Sequence, residues 1–191
     1  AAEYFLGRKF EDAPAEVRRI TAALRRETLN IALVGMPSCG KSTLGRLLAK
    51  QLGRPLVDLD EEIVKADGRS IPDIFAAEGE AGFRAKEAAQ IARFGKEKGL
   101  VLSCGGGAVK RAENIRALRQ NGVVLFIDRP VEALAVGGSR PLSSSMEALR
   151  TMEAQRRPLY LAAADAVISN TGTLAEALAA AQEVLDEIFD S

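Results

Sequence analysis

The sequence predicts a three-layer α/β domain built on a central parallel sheet of five strands. Two observations indicate this fold class. Short apolar segments that read as strands alternate with longer segments that read as helices, an order typical of right-handed βαβ units. Four of the five strand segments are continuous apolar runs, as expected when helices cover both faces of a sheet. A length of 191 residues and a hydrophobic content of 47% fit one such domain.

The predicted strands are short and follow one another along the whole chain. They are residues 30–35 (NIALVG), 55–60 (PLVDLD), 100–104 (LVLSC), 123–128 (VVLFID) and 165–169 (DAVIS). The predicted helices are residues 41–52, 70–75, about 80–96, and 174–189. Ser70 can cap the second of these helices, and Pro72 is tolerated in its first turn.

Two stretches differ from this alternating pattern. Residues 1–28 precede the first strand and contain a charged amphipathic helix, so we treat them as a helical extension or linker and residues 29–191 as the domain. Residues 136–146 (VGGSRPLSSSM) are rich in Gly, Ser and Pro, a composition typical of a mobile loop.

Composition excludes several classes of function. The formal net charge is zero, which disfavours a nucleic-acid binder. Neither a membrane-spanning run nor a signal peptide is evident. The two cysteines are far apart in sequence, so they form neither a disulfide framework nor a zinc motif, and we expect a cytoplasmic protein. There is no histidine, so a Ser-His-Asp triad is excluded and a general base must be a carboxylate, lysine, tyrosine or cysteine.

A phosphate-binding loop joins the first strand to the first helix. Gly35, Gly40, Lys41 and Ser42 match G-x-x-x-x-G-K-[ST] in the required strand–loop–helix context. Glycines allow backbone N–H groups to surround a phosphate chain, and the helix N-terminus adds a positive dipole end. The motif predicts that Lys41 reaches the β and γ phosphates and that Ser42 ligates Mg²⁺. The alternative is a glycine-rich turn without a ligand.

Two carboxylates follow the second strand. Asp58 and Asp60 are two residues apart, so on an extended strand both side chains would face the crevice at the carboxyl end of the sheet. Next to MgATP, one carboxylate would bind the metal through water and the other would accept or orient the proton of an attacking hydroxyl. The alternative is a solvated acidic loop that opens a helix.

Further motifs resemble the shikimate kinase family. In chain order they are DLDEEI, GRSIPDIFAAEGEAGFRAKE, VLSCGGGAV, SRPLS and QRRPLYLAAAD, and the resemblance covers residues 30 to about 185. It implies a P-loop kinase fold and transfer of the γ-phosphoryl group of ATP to the 3-hydroxyl of shikimate, in the biosynthesis of aromatic amino acids. It also implies ATP and Mg²⁺ as the nucleotide and metal.

The resemblance implies a role for each matching residue. Asp60 binds the reacting hydroxyl and is the base, while Asp58 joins Ser42 in the Mg²⁺ shell. Arg84 and Arg156 clamp the substrate carboxylate, which suits the two-pronged arginine side chain. Residues implied to contact ATP are Gly35, Ser38, Cys39, Gly40, Lys41, Ser42, Thr43, Asn170 and Arg140, the last on a lid at about 136–150. Lys41 and Arg140 would also assist catalysis by stabilising negative charge on the γ-phosphate.

Several neighbouring residues carry less specific signals. Gly105, Gly106 and Gly107 would form a close-packed turn over the substrate ring, with a plain loop as the alternative. Phe75 and Phe83 match positions near the ring, although aromatic residues at helical spacing are more often part of a core. Arg84 on a helix could instead belong to a solvated face. Arg157, next to Arg156, is interpreted as a surface residue.

The chain departs from the family pattern in three places. Ala135 and Val136 stand where the family often has an arginine, which predicts altered ATP affinity. Residues 1–28 are similar to the closing helix of a shikimate dehydrogenase, so the chain is either the kinase part of a dehydrogenase–kinase fusion or a kinase with an unrelated helical extension. Cys39, inside the phosphate loop, is either a reactive thiol whose alkylation abolishes activity, with ATP protecting, or, like Cys104, a small buried side chain.

Two other functions stay open at this point. One is another small-metabolite kinase such as a gluconate kinase, and the other is a degenerate nucleotide-binding domain. The combined arginines and GGGAV disfavour the first, and the intact Lys41, Ser42, Asp58 and Asp60 disfavour the second. We expect a monomer, because no large apolar surface stripe is evident.

Overall fold

The structure is a computed structural model that describes residues 13–134 and 145–191. In these residues seven α-helices surround one sheet of five strands. The helices are α1 (Ala13–Thr28), α2 (Lys41–Leu52), α3 (Leu59–Asp67), α4 (Ile71–Phe94), α5 (Ala112–Arg119), α6 (Met146–Ala163) and α7 (Leu174–Asp190). The strands are β1 (Asn30–Val34), β2 (Leu56–Asp58), β3 (Val101–Ser103), β4 (Gly122–Asp128) and β5 (Ala166–Ser169). Short 3₁₀ turns occupy Ala108–Lys110 and Val131–Ala133.

The sheet is parallel throughout, with strand order β2-β3-β1-β4-β5. Ile31 in the central strand pairs with Val101 on one side and Val123 on the other. Every residue of β1 is buried, since helices cover both faces. The predicted fold class, three layers around a parallel five-stranded sheet, is confirmed. A parallel sheet aligns the carboxyl ends of its strands, so the loops after β1, β2 and β3 meet at one edge.

The second predicted strand is too long at its carboxyl end. The strand ends at Asp58, and Leu59 already begins α3. Asp58 is the N-cap of this helix, because its side chain accepts a hydrogen bond from the Asp60 amide. The prediction that Asp58 and Asp60 share a strand face is therefore wrong, since Asp60 lies in the first helical turn.

The helices predicted at residues 70–75 and about 80–96 are two segments of one helix, α4, with a break between them. Ser70 caps its start by accepting from the Asp73 amide, and Gly79 interrupts it with φ 68° and ψ −173°. Such a backbone suits glycine alone among common residues. The two segments of α4 therefore run in different directions, and the second carries Phe83, Arg84 and Glu87.

Two helices, α5 and α6, have no counterpart in the predictions, whereas α3 is the helix that the alternative interpretation of Asp58 and Asp60 included. Helix α6 begins at the Ser145 cap and contains Pro158, a residue that is unfavourable in most helix interiors. Residues 136–144 of the expected lid, Arg140 among them, lie outside the described residues, while 146–150 are helical.

Helix α1 packs on α7 through charged side chains rather than through its apolar stripe. Arg26 forms ion pairs with Asp186 at 3.0 Å and Asp190 at 2.5 Å. The half-buried Arg54 donates to the carbonyls of Leu29, at 2.6 Å, and of Arg26, at the end of α1. Val17 and Leu24, on the apolar side of this amphipathic helix, are 62% and 53% exposed. None of the helices described is both long and apolar enough to cross a membrane.

Candidate active site

The loop after β1 has the backbone of a phosphate cradle. Gly35, Ser38 and Gly40 have positive φ angles of 147°, 62° and 101°. A Cβ atom at Gly35 would lie 2.6 Å from the Ile127 carbonyl oxygen, so both the backbone angle and the space require glycine there. The loop ends at the first turn of α2, whose amino end adds partial positive charge.

Lys41 lies inside this loop. Its side chain is 5% exposed, and its Nζ donates to the carbonyls of Gly35 at 3.0 Å and Met36 at 2.8 Å. The ammonium group is thus placed at the centre of the loop that precedes it. Asn170, after β5, supports the loop from the other side by donating to the Cys39 carbonyl at 2.7 Å. Thr43 is exposed on α2.

A cluster of oxygen atoms adjoins the loop. Ser42 Oγ donates to Asp58 Oδ2 at 2.8 Å and lies 3.2 Å from Ser103 Oγ. Hydroxyl and carboxylate oxygens are the ligands that Mg²⁺ prefers, and Mg²⁺ beside a nucleotide takes most of its remaining ligands from phosphates and water. Within the described residues no group of three or more Asp, Glu, His or Cys side chains forms a closed metal cage. The donor set therefore fits a metal shared with phosphates.

Asp60 faces the turn that follows β3. A Cβ atom at Gly105 would lie 3.0 Å from Asp60 Oδ1 and 2.5 Å from Glu87 Oε1. The buried Leu59, one position earlier, packs into the core. The first turn of α3 therefore places the Asp60 carboxylate at the sheet edge. The strand alternation that the spacing suggested does not place it there.

Each glycine of the triple-glycine turn touches a different part of the site. Gly105 lies against Asp60 and Glu87. A Cβ atom at Gly106 would be 3.0 Å from Pro37 Cδ in the phosphate loop, and one at Gly107 would be 2.2 Å from Arg84 Cζ. None of the three has a positive φ, so the requirement for glycine here is one of space. The turn is a packed contact rather than a plain loop.

Arg84 is buried on the inner side of α4 and is oriented by two carboxylates. Its Nη1 donates to Glu87 Oε2 at 2.9 Å, and its Nε donates to Glu80 Oε1 at 3.2 Å. Glu80 also accepts from Lys110 Nζ at 2.7 Å, and this contact is the main reason that the pKa of its carboxyl is lowered. The solvated-face interpretation of Arg84 does not fit its 8% exposure.

Glu87 is a site residue that the sequence analysis did not identify. It is fully buried, and its Oε1 has no hydrogen-bond partner among the residues that the structure describes. Burial raises the pKa of the Glu87 carboxyl, against the opposing effect of Arg84. The available signal was its position three residues after Arg84, which places both side chains on one helix face.

Arg156 and Arg157 point to different surroundings. Arg156 is 7% exposed, and its Nη1 donates to the Gly106 carbonyl at 3.0 Å. Arg157 forms a two-pronged pair with Asp128, with both distances 2.6 Å. A cavity of about 490 Å³ opens beside Arg156 and includes Glu80, Lys110 and Gln155 in its wall. Arg156, and not Arg157, therefore contacts the triple-glycine turn.

The remaining predicted residues are in apolar surroundings. Phe75 and Phe83 stack with ring centroids 4.8 Å apart and pack with Ile63 and Ile74 in a small second core. Cys39 and Cys104 are both free and buried, and burial raises the pKa of the Cys104 thiol. The buried-side-chain interpretation of both cysteines fits these positions, and ATP protection of Cys39 from alkylation stays a prediction.

Comparison with known proteins gives a consistent result. A family model described as shikimate kinase matches residues 37–190. The shikimate kinase of Symbiobacterium thermophilum is 45% identical over 170 residues, which are 83% of this chain and 97% of that protein. The shikimate kinase of Pseudomonas savastanoi pv. phaseolicola is 47% identical over 146 residues, covering 73% of this chain and 85% of its own.

Solved structures show the same relationship. A shikimate kinase from Acinetobacter baumannii in complex with shikimate has a TM-score of 0.79 and 37% identity, covering 87% of this chain and 96% of that one. A gluconokinase from Sinorhizobium meliloti has a TM-score of 0.52 and 19% identity, covering 85% of this chain and 96% of its own. This second likeness is one of fold alone.

Proposed function

The chain belongs to the shikimate kinase family, as its motifs predicted, and we propose that the site described above performs that family's reaction. The reaction transfers the γ-phosphoryl group of ATP to the 3-hydroxyl of shikimate and yields shikimate 3-phosphate and ADP. One observation carries the assignment of this site. The triple-glycine turn contacts the phosphate loop, Asp60 and Arg84, and Arg156 donates to it, so nucleotide and acceptor groups meet at one point.

On the nucleotide side, the loop backbone from Gly35 to Gly40 surrounds the phosphates, and Lys41 neutralises charge on the β and γ groups. Ser42 and Asp58 would hold Mg²⁺, with Asp58 acting through water. The metal, when bound, supplies positive charge to the phosphate oxygens. Asn170, also a proposed nucleotide contact, supports the loop by donating to the Cys39 carbonyl. Ser38 and Thr43 complete the proposed nucleotide contacts.

On the acceptor side, Arg84 and Arg156 bind the shikimate carboxylate. Both guanidinium groups are buried, which strengthens their attraction to a carboxylate because little water competes. Glu87 and Glu80 orient Arg84, and the Gly106 carbonyl orients Arg156. The substrate ring then lies over the Gly105–Gly107 turn, with its 3-hydroxyl beside Asp60.

The chemical step requires one proton transfer and one phosphoryl transfer. The 3-hydroxyl gives its proton to the Asp60 carboxylate as its oxygen bonds to the γ-phosphorus. The bond from that phosphorus to the β–γ bridging oxygen breaks, and its electron pair stays with ADP. The chain contains no histidine, and of the two carboxylates beside Gly105, Glu87 is fully buried and bonded to Arg84, which supports Asp60 as the base.

Arg140 is proposed to approach the γ-phosphate when a lid over 136–150 closes. Its support is the SRPLS motif, since residues 135–144 lie outside the described structure. With Ala135 and Val136 in place of an arginine, we propose weaker ATP binding than in relatives that have it. One charge-assisted contact corresponds to about 1.5–3 kcal/mol.

A coupled assay of ADP release tests the proposed function. The full chain is incubated with MgATP and with shikimate, gluconate or no acceptor. Release that depends on shikimate is the expected result. Release that depends on gluconate, or nucleotide binding without turnover of either acid, would replace the proposal by one of the two alternatives.

We also propose that the protein is a cytoplasmic monomer and that residues 1–28 form a unit appended to the kinase domain. Two free buried cysteines support a reducing compartment. All of α1 lies outside the family match, which begins at residue 37. The fusion to a shikimate dehydrogenase rests on sequence similarity, and mass spectrometry of the natural protein tests it.

A further inference from the structure

Tyr160 is a buried polar residue that the reaction above does not use. It lies on α6 one helical turn after Arg156, and it is 0% exposed. Its ring stacks on Phe126 of β4, with centroids 5.0 Å apart and an angle of 21° between the planes. A tyrosine packed in this way has little rotational freedom, so its hydroxyl has one fixed position.

That hydroxyl points at the triple-glycine turn. It donates to the Gly106 carbonyl at 2.5 Å and lies 3.9 Å from Met36 Sδ in the phosphate loop. Burial raises the pKa of the Tyr160 phenol above its ordinary value, so the group stays a neutral donor at any working pH. A phenylalanine would pack as well, so packing alone does not explain the hydroxyl.

The Gly106 carbonyl receives two donors. Arg156 Nη1 donates to it at 3.0 Å, in addition to Tyr160. A carbonyl oxygen has two lone pairs, so these two bonds complete its capacity. The pair fixes the turn relative to α6 and also fixes the direction in which the Arg156 guanidinium presents its other N–H groups.

We propose that Tyr160 is a positioning residue for the acceptor half of the site. Its hydroxyl sets the place of Gly106, and through Gly106 it sets the orientation of Arg156 and the floor under the substrate ring. The inference rests on the proposed function, because the acceptor is taken to be shikimate. The phosphate loop has independent supports in Lys41 and Asn170, so nucleotide binding should depend on Tyr160 much less.

The variant Tyr160→Phe tests this role. We expect the KM for shikimate to rise by about ten-fold, the value of one lost hydrogen bond to a buried acceptor, while the KM for ATP changes less than about two-fold. The matched control is Asn30→Ala. Asn30 is buried at the other end of the sheet, where its side chain bonds to the Glu97 carbonyl and the Leu100 amide. This control should lower thermal stability with both KM values unchanged.

A second variant acts on the same contact from the opposite side and covers the case in which Tyr160→Phe does not fold. Gly106→Ala introduces a Cβ atom 3.0 Å from Pro37 Cδ and 3.4 Å from the Gly35 carbonyl oxygen, so the turn and the phosphate loop must move apart slightly. Because both contacts are with the phosphate loop, this variant should raise the KM for ATP as well as the KM for shikimate, and an unchanged shikimate KM would contradict the positioning role of the Gly106 turn.

The outcomes separate the two proposals. If the wild-type chain shows no shikimate-dependent turnover, the proposed function fails. If the wild type is active and Tyr160→Phe has wild-type KM values, or raises both equally, the positioning role of Tyr160 is wrong. The role is likewise contradicted if Asn30→Ala reproduces the shift in shikimate KM.

Discussion

Charged side chains are used differently at the carboxyl edge of the sheet and at the surface where α1 meets α7. At the sheet edge, Lys41, Arg84 and Arg156 are at most 8% exposed, and Glu87 is fully buried. At the α1 surface, the side chains of the Arg26–Asp190 pair are 39% and 59% exposed.

The difference shows that a buried charged side chain can orient its neighbours, whereas an exposed one does so less. Burying a charged side chain is costly, and a protein retains one only where hydrogen bonds compensate the lost hydration. Those hydrogen bonds fix the direction of each buried charged group. In an exposed ion pair, water and salt screen the charges and weaken the attraction between them. The buried set is therefore suited to precise substrate geometry, and the exposed set to holding one helix against another.

The largest expected effect comes from replacing Asp60, the proposed base at the carboxyl edge of the sheet. Asp60→Asn should lower kcat by about 10²–10⁴-fold, the usual contribution of a general base, because the amide cannot accept the hydroxyl proton. Nucleotide binding should stay nearly intact, since the Asp60 carboxylate lies against Gly105 of the triple-glycine turn, on the acceptor side of the proposed site. Single-turnover kinetics and ADP titration measure the two quantities. A full rate in this variant would exclude Asp60 as the base.

A pair of variants on one arginine tests the comparison directly. Glu87→Gln removes the buried partner of Arg84 and should raise the shikimate KM by roughly ten-fold to a hundred-fold. Glu80→Gln removes the more exposed partner, whose side chain is 40% exposed, and should change it by only a few-fold. Steady-state kinetics of both variants give the ratio. Equal effects would show that burial does not decide the strength of these contacts.

At the α1 surface we expect smaller effects, and on stability rather than activity. Arg54→Gln should lower the free energy of unfolding by about 1–2 kcal/mol, because its half-buried guanidinium satisfies the carbonyls at the end of α1. Arg26→Gln should have less effect, since its pairs are exposed. Thermal unfolding measures both, and kcat should be unchanged in each. A larger loss from Arg26→Gln would reverse this order.

The smallest expected effect is a pH dependence of the α1 contact. The hydrogen bond from Arg26 lowers the pKa of the Asp190 carboxyl below its ordinary value of 3.8. A carboxyl with a lowered pKa stabilises the folded contact above its ordinary pKa, and this contribution is lost as the pH falls through the lowered value. The protection factors of α1 amides, which are exchange rates corrected for the intrinsic pH dependence of amide exchange, should therefore be lower below pH 3.8 than at neutral pH. Asp190→Asn should weaken this dependence, and an unchanged dependence would assign it to other groups.

Much of the site could be predicted because its signals are local. The phosphate loop depends on Gly35, Gly40, Lys41 and Ser42, which are close together in sequence and need only a strand before them and a helix after them. Asp58 was found through its place after a strand. Asp60 was selected for a wrong reason. The capping of α3 by Asp58 sets the position of Asp60, and strand alternation does not.

Glu87 and Tyr160 were missed because their roles depend on distant partners. Glu87 becomes a site residue only when Gly105 approaches it, and Tyr160 only when α6 places its hydroxyl on Gly106, 54 positions earlier in the chain. Helix α6, which the sequence analysis did not predict, contains Pro158, and burial of Leu149, Met152 and Tyr160 in the core stabilises it.

The sequence by itself determined the alternating α/β order, the phosphate loop and the family, because apolar periodicity and short motifs act over a few neighbouring residues. Only the tertiary structure decided which charges are buried and which carbonyl each donor reaches. Those properties depend on which segments pack together, and packing density leaves each buried polar group one set of partners.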